Sequence, residues 1–444
     1  SLDKSLNSAK YSLIVTVDCG ISSFEAVEEA NKKNVDIIIT DHHEPQGGIP
    51  KAHTVINPKL HQSLESLQIL SGVGVCFKLC HGFMKYGKNN RFCSDEFNLQ
   101  DTLDLVALGT VADIVPLLGE NRILVKQGLK ILSRQCRPGI RALCEISGLS
   151  SSLIKSSEIT FSLAPKINAA GRLGDPQIAY QLLNAKSIIE ANQYADILAN
   201  LNRERQYKED LILNEASILI ESFEEFKTRN SIILSGKDWH QGVIGIVATR
   251  LVKNYNRPVI IFSVTDDDAL GSARSVPGVN LVEILAKCSD LLERFGGHPM
   301  AAGIHIKKSK LKDFSDKFEE LVSLCQFEKE TVPPIPIDGE ITIDELDDSF
   351  FDHLQILEPF GNANAQPVYL FKNLKPVKTA SAGMLHSRGI LKDINNFSIN
   401  FIAFNRNLDS LPTTKSWNIV ATPSLNTYNG IITKQLQIID LCPS

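Results

Sequence analysis

The chain has 444 residues, with 46 Lys and Arg against 51 Asp and Glu, for a formal net charge of −5. Hydrophobic residues make up 43% and charged residues 22%. That balance excludes a disordered chain, a collagen-like chain and a wholly basic coat for nucleic acid, while leaving room for a local basic groove.

At roughly 100–200 residues per domain, the length predicts two to four domains. In chain order, Ser12 to Val17 is a nearly continuous apolar run, which predicts a strand buried on both faces of a parallel sheet. Asp18-Cys19-Gly20 stands at its carboxyl end, and Ser22 and Glu25 have the spacing of a capping box that opens a helix. A second strand, Asp36 to Thr40, runs into Asp41-His42-His43-Glu44. Pro45 and Gly47-Gly48 break the chain, and a short strand from His53 to Ile56 follows. Strand, helix and strand with polar residues at the strand ends form a doubly wound pattern. Helical segments come next, the clearest from Leu99 to Val111, ending at Asp113 before Pro116.

After Pro176 the chain reaches Arg229 without Gly or Pro. Tyr194, Ile197, Leu198 and Leu201 recur at helical spacing, followed by a charged cluster of Arg203, Glu204, Arg205, Lys208, Glu209 and Asp210. The pattern fits a long helix or helix pair between domains, or a surface helix of one domain. A second α/β unit starts at Ser231. It has strands Ser231 to Leu234, Pro258 to Val264 and Ala269 to Arg274, and helices Val243 to Tyr255 and Asn280 to Arg294, the last leading to Gly296-Gly297-His298. The region from Val332 reads as mostly β, entered through Pro333, Pro334, Pro336 and Gly339. Its charge splits: residues 331–369 hold eight acidic and no basic residues, and residues 370–444 hold eight basic and three acidic. Phe371, Phe397, Phe401, Phe404, Trp417 and Tyr428 fall in the basic part, which suits a small barrel that holds single strands, or aromatics that simply fill its core.

Nine cysteines (Cys19, Cys76, Cys80, Cys93, Cys136, Cys144, Cys288, Cys325 and Cys442) form no C-x-x-C pair, which predicts mostly buried thiols in a reducing compartment. No apolar run approaches the roughly 20 residues of a spanning helix. The expectation is a soluble, cytoplasmic protein with no membrane contact.

Asp18, Asp41-His42-His43 and Asp113 are three carboxylates and two imidazoles, the first four at the ends of adjacent predicted strands, where open α/β sheets build their sites. Mixed oxygen and nitrogen donors suit manganese or zinc better than calcium. Ile167 to Asp175 presents Arg172 between Gly171 and Gly174 as a fork for phosphate. Ser272 and Arg274 alternate on a strand and face one side, and Gly296-Gly297-His298 after a helix offers N–H groups and an imidazole to a phosphate or base. The Trp239-to-Gly245 loop either lines the same cleft or sends Trp239 into the core.

Val15 to Ser22, Thr40 to His43 and Ala107 to Asp113 resemble successive motifs of the DHH phosphoesterases. Asn168 to Asp175, Ser272 to Arg274, Gly296 to His298 and Leu357 to Asn362 resemble the RecJ-like branch, the single-strand-specific 5′→3′ DNA exonucleases. The resemblance implies a parallel-sheet α/β DHH domain at 1–180, a connecting helix at 181–229, a smaller α/β DHH-associated domain at 230–328 and an OB-like β-barrel at 329–444. It also implies that Asp18, His42 and Asp113 ligate manganese, or magnesium in its place, with two ions in the full-length protein. His43 would contact the scissile phosphate, with Asp41 holding the His pair. Asn168, Arg172, Ser272, Arg274, Gly296, Gly297 and His298 would hold the nucleotide and its 5′ phosphate. Water would then attack the phosphodiester and release 5′ mononucleotides. The implied partners of this monomer are single-stranded DNA, a helicase and a single-strand binding protein.

One departure stands out. The family's first motif, Asp-x-Asp-x-Asp-Gly, has no match, and the chain begins at Ser1. The expectation is an N-terminally incomplete DHH domain with weak or no activity alone. The rival expectations are a non-catalytic DNA-binding scaffold and a phosphodiesterase for short oligonucleotides.

Overall fold

The computed structural model describes residues 11–45, 47–60, 65–92, 97–149, 153–327, 334–382, 386–406, 408, 415–428 and 431–444. Ser1, Cys93 and Pro333, singled out above, lie outside the described residues, as does the side chain of Tyr428. The chain divides into two compact units. The first comprises Ser1–Cys136, Ser151–Ser162 and Ile335–Ser444, and the second Arg137–Ser150 and Leu163–Pro334.

In the first unit, strands β1 (Leu13–Val17), β2 (Asp36–Thr40) and β3 (Thr54–Ile56) form a parallel sheet in that order. Val17 pairs with Thr40, so the two strands end side by side and deliver Asp18 and Asp41 to one rim. Ile37 and Ile39 pack on Val27 and Ala30 of the helix Phe24–Lys32. The expected capping box is absent. Ser23 is the N-cap and makes no side-chain cap, and its own N–H donates to the Gly20 carbonyl.

The expectation that β1 is buried on both faces also fails. Leu13, Val15 and Val17 are 48%, 46% and 53% exposed. Alternate residues of a strand face opposite sides, and this face of β1 meets the helix Gly72–Asn89 only loosely. Leu13 and Val15 instead line an open apolar groove of about 560 Å³ with Phe83, Met84 and Phe97.

The C-terminal part of this unit is a closed barrel. Strands β10 (Tyr369–Ala382), β11 (His386–Lys392), β12 (Ser398–Ala403), β13 (Trp417–Tyr428) and β14 (Ile431–Pro443) run in the order β11-β12-β14-β13-β10, and β10 closes on β11. β12 and β14 are parallel and the other contacts antiparallel. This is the five-stranded Greek-key ring of an OB fold. The short strand β9 (Gly339–Glu340) adds to β10, and the helix Asp348–Leu357 lies in the acidic stretch. Phe371, Phe401 and Trp417 are fully buried in the barrel core, while Phe397 and Phe404 are exposed.

In the second unit, β4 (Ile232–Gly236), β5 (Val259–Val264), β6 (Asp268–Arg274), β7 (Leu292–His298) and β8 (Ala301–Lys307) form a mixed sheet in the order β4-β5-β6-β8-β7. β5 is buried on both sides. Ile260 and Phe262 join Phe314 and Phe318 in one core, and Val259 and Ile261 join Val243, Val247 and Leu251 in another. The helix Ile188–Ser222 runs 35 residues, separated from Gln177–Asn184 by a break at which Ser187 caps.

Two of the polar segments singled out in the sequence lie in regular structure. Asn168 and Arg172 lie on the helix Ala164–Leu173, which absorbs Gly171 and ends at Gly174. Gly296-Gly297-His298 is the end of β7, held by its antiparallel partner β8, and the preceding helix stops at Lys287. Among the eight described cysteines, only Cys144 and Cys288 are buried, contrary to the expectation of mostly buried thiols; burial pushes both of these up to about 11. No helix among the described residues is long and apolar enough to cross a membrane.

Candidate functional site

The rim of β1 and β2 concentrates the acidic and imidazole side chains. Asp41 is buried and fully used. Its Oδ2 accepts the Ile21 N–H at 2.9 Å, and its Oδ1 accepts the N–H groups of His42 and His43 at 2.8 and 3.1 Å. The same Oδ1 lies 2.7 Å from His43 Nδ1. This carboxylate assigns the Nδ1 proton of His43 and leaves Nε2 as the ring's lone-pair donor. Burial pushes the Asp41 carboxyl up, but the hydrogen bonds from Ile21, His43 and His42 outweigh it and hold the group below its ordinary range.

His42 points the other way. Its Nε2 lies 3.1 Å from Asp18 Oδ1 and 3.5 Å from Asp113 Oδ2. The atom is buried and has no directed hydrogen-bond partner among the described residues. Asp18 beside it, followed by Asp113, raises the imidazole above its ordinary range against the effect of burial. Burial in turn raises the Asp113 carboxyl, with Asp18 adding to that and His42 opposing it.

Asp18, His42 and His43 each offer a donor atom, all within 4.8 Å of one another. A buried lone-pair donor facing two carboxylates, one of them pushed up by burial, is a set that a divalent cation would satisfy. The backbone is shaped to present it. Asp18 has φ 61°, and a Cβ at Gly72 would overlap its carboxylate at 2.0 Å, so only glycine there leaves room for the side chain. Asp113 is the C-cap of the helix Leu103–Ala112.

The second unit gathers the other expected residues. Arg274 and Ser272 share one face of β6, with Arg274 Nη1 3.2 Å from Ser272 Oγ. Through β8 that face continues to β7: Ser272 is opposite Gly303 and Gly303 opposite Gly296, while Arg274 is opposite Ala301 and Ala301 opposite His298. A Cβ at Gly303 or Gly296 would meet nothing, so this strip is open backbone beside Ser272. Gly297, at φ 150°, would drive a Cβ into the Ala301 carbonyl.

The helix Gln241–Tyr255 approaches the same face at Gly245, where a Cβ would lie 2.9 Å from Ser272 Oγ and 3.2 Å from Arg274 Nη2. Arg172 donates to the Gly242 carbonyl at 3.1 Å, and Asn168 lies one turn before it on its helix. Burial, followed by the nearby Arg172, pushes the Arg274 guanidinium below its usual range; burial and then Arg205 do the same to Arg172. Crowded cations of this kind favour an anion between them. Trp239 does not line this face. It is core and donates its indole N–H to Glu215 at 2.7 Å.

Several charged residues are placed in ways that the sequence pattern does not reveal. Glu209 is 2% exposed inside the charged cluster, accepting Arg205 Nη1 at 2.6 Å and Arg250 Nε at 2.7 Å. On the barrel, Lys375 faces Lys392, and Lys378 and Arg388 share their side because the β10 bulge between Pro376 and Lys378 restores the phase. Among the described residues none of these four has an ion pair, whereas Lys372, Arg406 and Lys434 are each paired with a carboxylate. The bulge is the only cue that would reveal this face, and it appears only in the pairing.

Three family models match in succession: the DHH family N-terminal domain at residues 2–110, the DHHA1 domain at 228–324 and the RecJ OB domain at 337–440. The single-stranded-DNA-specific exonuclease RecJ of Bacillus subtilis (strain 168) is 32% identical over 447 residues, which span 99% of this chain and 55% of that protein. RecJ of Thermus thermophilus in complex with Mn²⁺ superposes with a TM-score of 0.82 at 30% identity, covering 99% of this chain and 63% of that one. A crystal structure of exonuclease RecJ bound to manganese has a TM-score of 0.62 at 32% identity, covering 74% of this chain and 80% of that one. The chain thus spans little more than half the length of the Bacillus relative it matches. In fold, domain order and relatedness, this chain belongs to the RecJ-like branch of the DHH family.

Proposed function

We propose that this chain carries the phosphodiester-hydrolysing machinery of a 5′→3′ exonuclease specific for single-stranded DNA. The observation that supports this most is His42 Nε2, buried without a hydrogen-bond partner and facing Asp18 and Asp113. Asp18, His42 and Asp113 would hold Mn²⁺, or Mg²⁺, with a second ion in the full-length protein. Bound there, the ion supplies Lewis acidity toward a phosphoryl oxygen and lowers the pKa of water.

The residues of the chain do the rest. Asp41 fixes the orientation of the His43 ring through Nδ1, which places the ring beside the scissile phosphate. Arg172, Arg274 and Ser272 hold a 5′ phosphate, with the open backbone of Gly296 beside the nucleotide together with Gly297, His298 and Asn168. The barrel face of Lys375, Lys378, Arg388 and Lys392 takes the trailing strand. The functional division would be a DHH domain at 1–180, a connecting helix at 181–229, a DHH-associated domain at 230–328 and the barrel at 329–444. A monomer restricted to unpaired DNA would act in the cytoplasm where a helicase and a single-strand binding protein expose its substrate.

The test pairs Mn²⁺ titration by EPR with nucleotide release from a 5′-phosphorylated single strand of roughly 30 nucleotides. Wild type binds Mn²⁺, and His42→Ala loses at least about tenfold in affinity together with any Mn²⁺-dependent release. Equal Mn²⁺ binding by the two proteins, or undiminished release by His42→Ala, would overturn the reading.

A further inference from the structure

Asp113 reaches His42 from the end of a helix whose exit is unusual. The next residue, Ile114, has φ 58° and a side chain that is mostly exposed. A β-branched residue gains nothing from that conformation and persists in it only when its surroundings impose it. Packing does not impose it here, since the Ile114 side chain is exposed, and the helix supplies only the Ile114 N–H bond to the Val111 carbonyl at 3.2 Å.

The constraint comes from the segment that leads into the barrel. Asn362 Nδ2 donates to the Ile114 carbonyl at 2.7 Å, and the Leu117 N–H donates to the Asn362 carbonyl at 2.8 Å. One residue thus grips the turn at both ends. Gly361 lies so close that a Cβ there would fall 2.6 Å from Leu117 Cδ1.

The grip is itself braced. Asn364 Nδ2 donates to the carbonyls of Leu357 and Pro359 at 2.9 and 2.8 Å. Arg122 donates to those of Ile356 and Leu357, Lys155 pairs with Glu358 at 2.9 Å, and Ser156 donates to the Phe360 carbonyl. These contacts all lie within the first unit.

We propose that Asn362 is a positioning residue for the candidate metal centre: it locks the Ile114 turn and thereby aims the Asp113 carboxylate at His42. The role rests on the metal reading of Asp18, His42 and Asp113. It makes the entry to the barrel a part of the site without touching the ion or the substrate.

The test uses five versions of the 444-residue chain: wild type, Asn362→Ala, Asn362→Asp, Ile114→Gly and the Asn362→Ala/Ile114→Gly double variant. Amide hydrogen exchange of Ile114, Val115 and Leu117 is followed without metal, and Mn²⁺ affinity is read by EPR. Asn362→Ala should speed exchange at Leu117 and weaken Mn²⁺ binding about tenfold, with the thermal midpoint close to wild type. Ile114→Gly should bind as wild type does, because glycine adopts φ near 58° at no steric cost. In the double variant glycine should restore most of the affinity, a suppression that a merely structural tether would not show. Asn362→Asp, close to isosteric, should behave as Asn362→Ala, because it turns an acceptor toward the Ile114 carbonyl. Wild-type Mn²⁺ affinity and unchanged exchange in Asn362→Ala overturn the proposal, as does a loss that Ile114→Gly fails to suppress. Absence of Mn²⁺ binding by wild type overturns the metal reading and the role with it, whereas exchange at Leu117 in the metal-free chain reports on the grip alone.

Discussion

The two histidines of the Asp-His-His run are neighbours in sequence and opposites in role. His43 is tied through Nδ1 to Asp41, and His42 Nε2 faces Asp18 and Asp113 without a directed hydrogen bond among the described residues. Asp41 makes this division possible by accepting three backbone N–H groups, which pin the rim of β1 and β2. Hydrogen bonds to a buried charge are among the stronger ones, so Asp41→Asn should cost about 2–3 kcal/mol of stability at neutral pH. The sign of its pH dependence follows from a folded-state pKa below the ordinary value. The stabilisation is fully present above the unfolded pKa near about 3.9 and fades as pH falls toward the lower folded value. Urea midpoints taken from about pH 5 to about pH 3 should therefore drop less steeply for Asp41→Asn than for wild type, and parallel slopes would show that Asp41 is not the group involved.

At the scale of elements, apolar patterning marks the strands β1, β2 and β5 and the helix Gln241–Tyr255 within a residue or two, because short continuous apolar runs bounded by polar residues and turns admit few alternatives. It fails where tertiary partners decide. Arg294 to His298 has no strand-like alternation, and only its pairing with β8 makes it β7. Asn168 to Leu173 reads as a loop because of its glycines, although Gly171 sits within the helix and the chain leaves it at Gly174. The candidate metal-binding set is legible where Asp18 and Asp41-His42-His43 end adjacent strands, whereas the grip of Asn362 on Ile114 joins residues 248 positions apart and leaves no local trace. Glu209 is the sharpest case. A charged run normally reads as a solvated helix face, yet the helix Ile188–Ser222 buries this carboxylate between Arg205 and Arg250. Removing one partner of a buried ion pair strands the other, so Glu209→Ala should destabilise the protein by about 3 kcal/mol in urea unfolding, far above the effect of Glu204→Ala on the exposed side.

Over the whole molecule, a net charge of −5 conceals a sharp division, with the acidic residues 331–369 followed by a basic stretch. The acids of the first stretch partly neutralise the second: Glu340 pairs with Lys372, and Asp348 with Lys434. What remains is concentrated on one face of β10 and β11, where Lys375 and Lys392 stand directly opposite each other. Like charges at opposed positions of a sheet are destabilising unless an anion lies across them. A phosphate backbone is such an anion, and exposed Phe397 and Phe404 would offer surfaces for bases to stack on. Each phosphate neutralised on a single strand contributes roughly −0.7 to the slope of log affinity against log salt. Binding of the full chain to an unpaired oligonucleotide should therefore weaken steeply with salt. Replacing both Lys375 and Lys392 by Ser should flatten the slope by about 1.4 while raising the melting temperature in the absence of DNA, since the repulsion between them is gone. Phe404→Ala should leave the slope unchanged and lower affinity by about tenfold, the signature of lost stacking. A double lysine variant whose salt slope equals that of wild type would place the strand elsewhere.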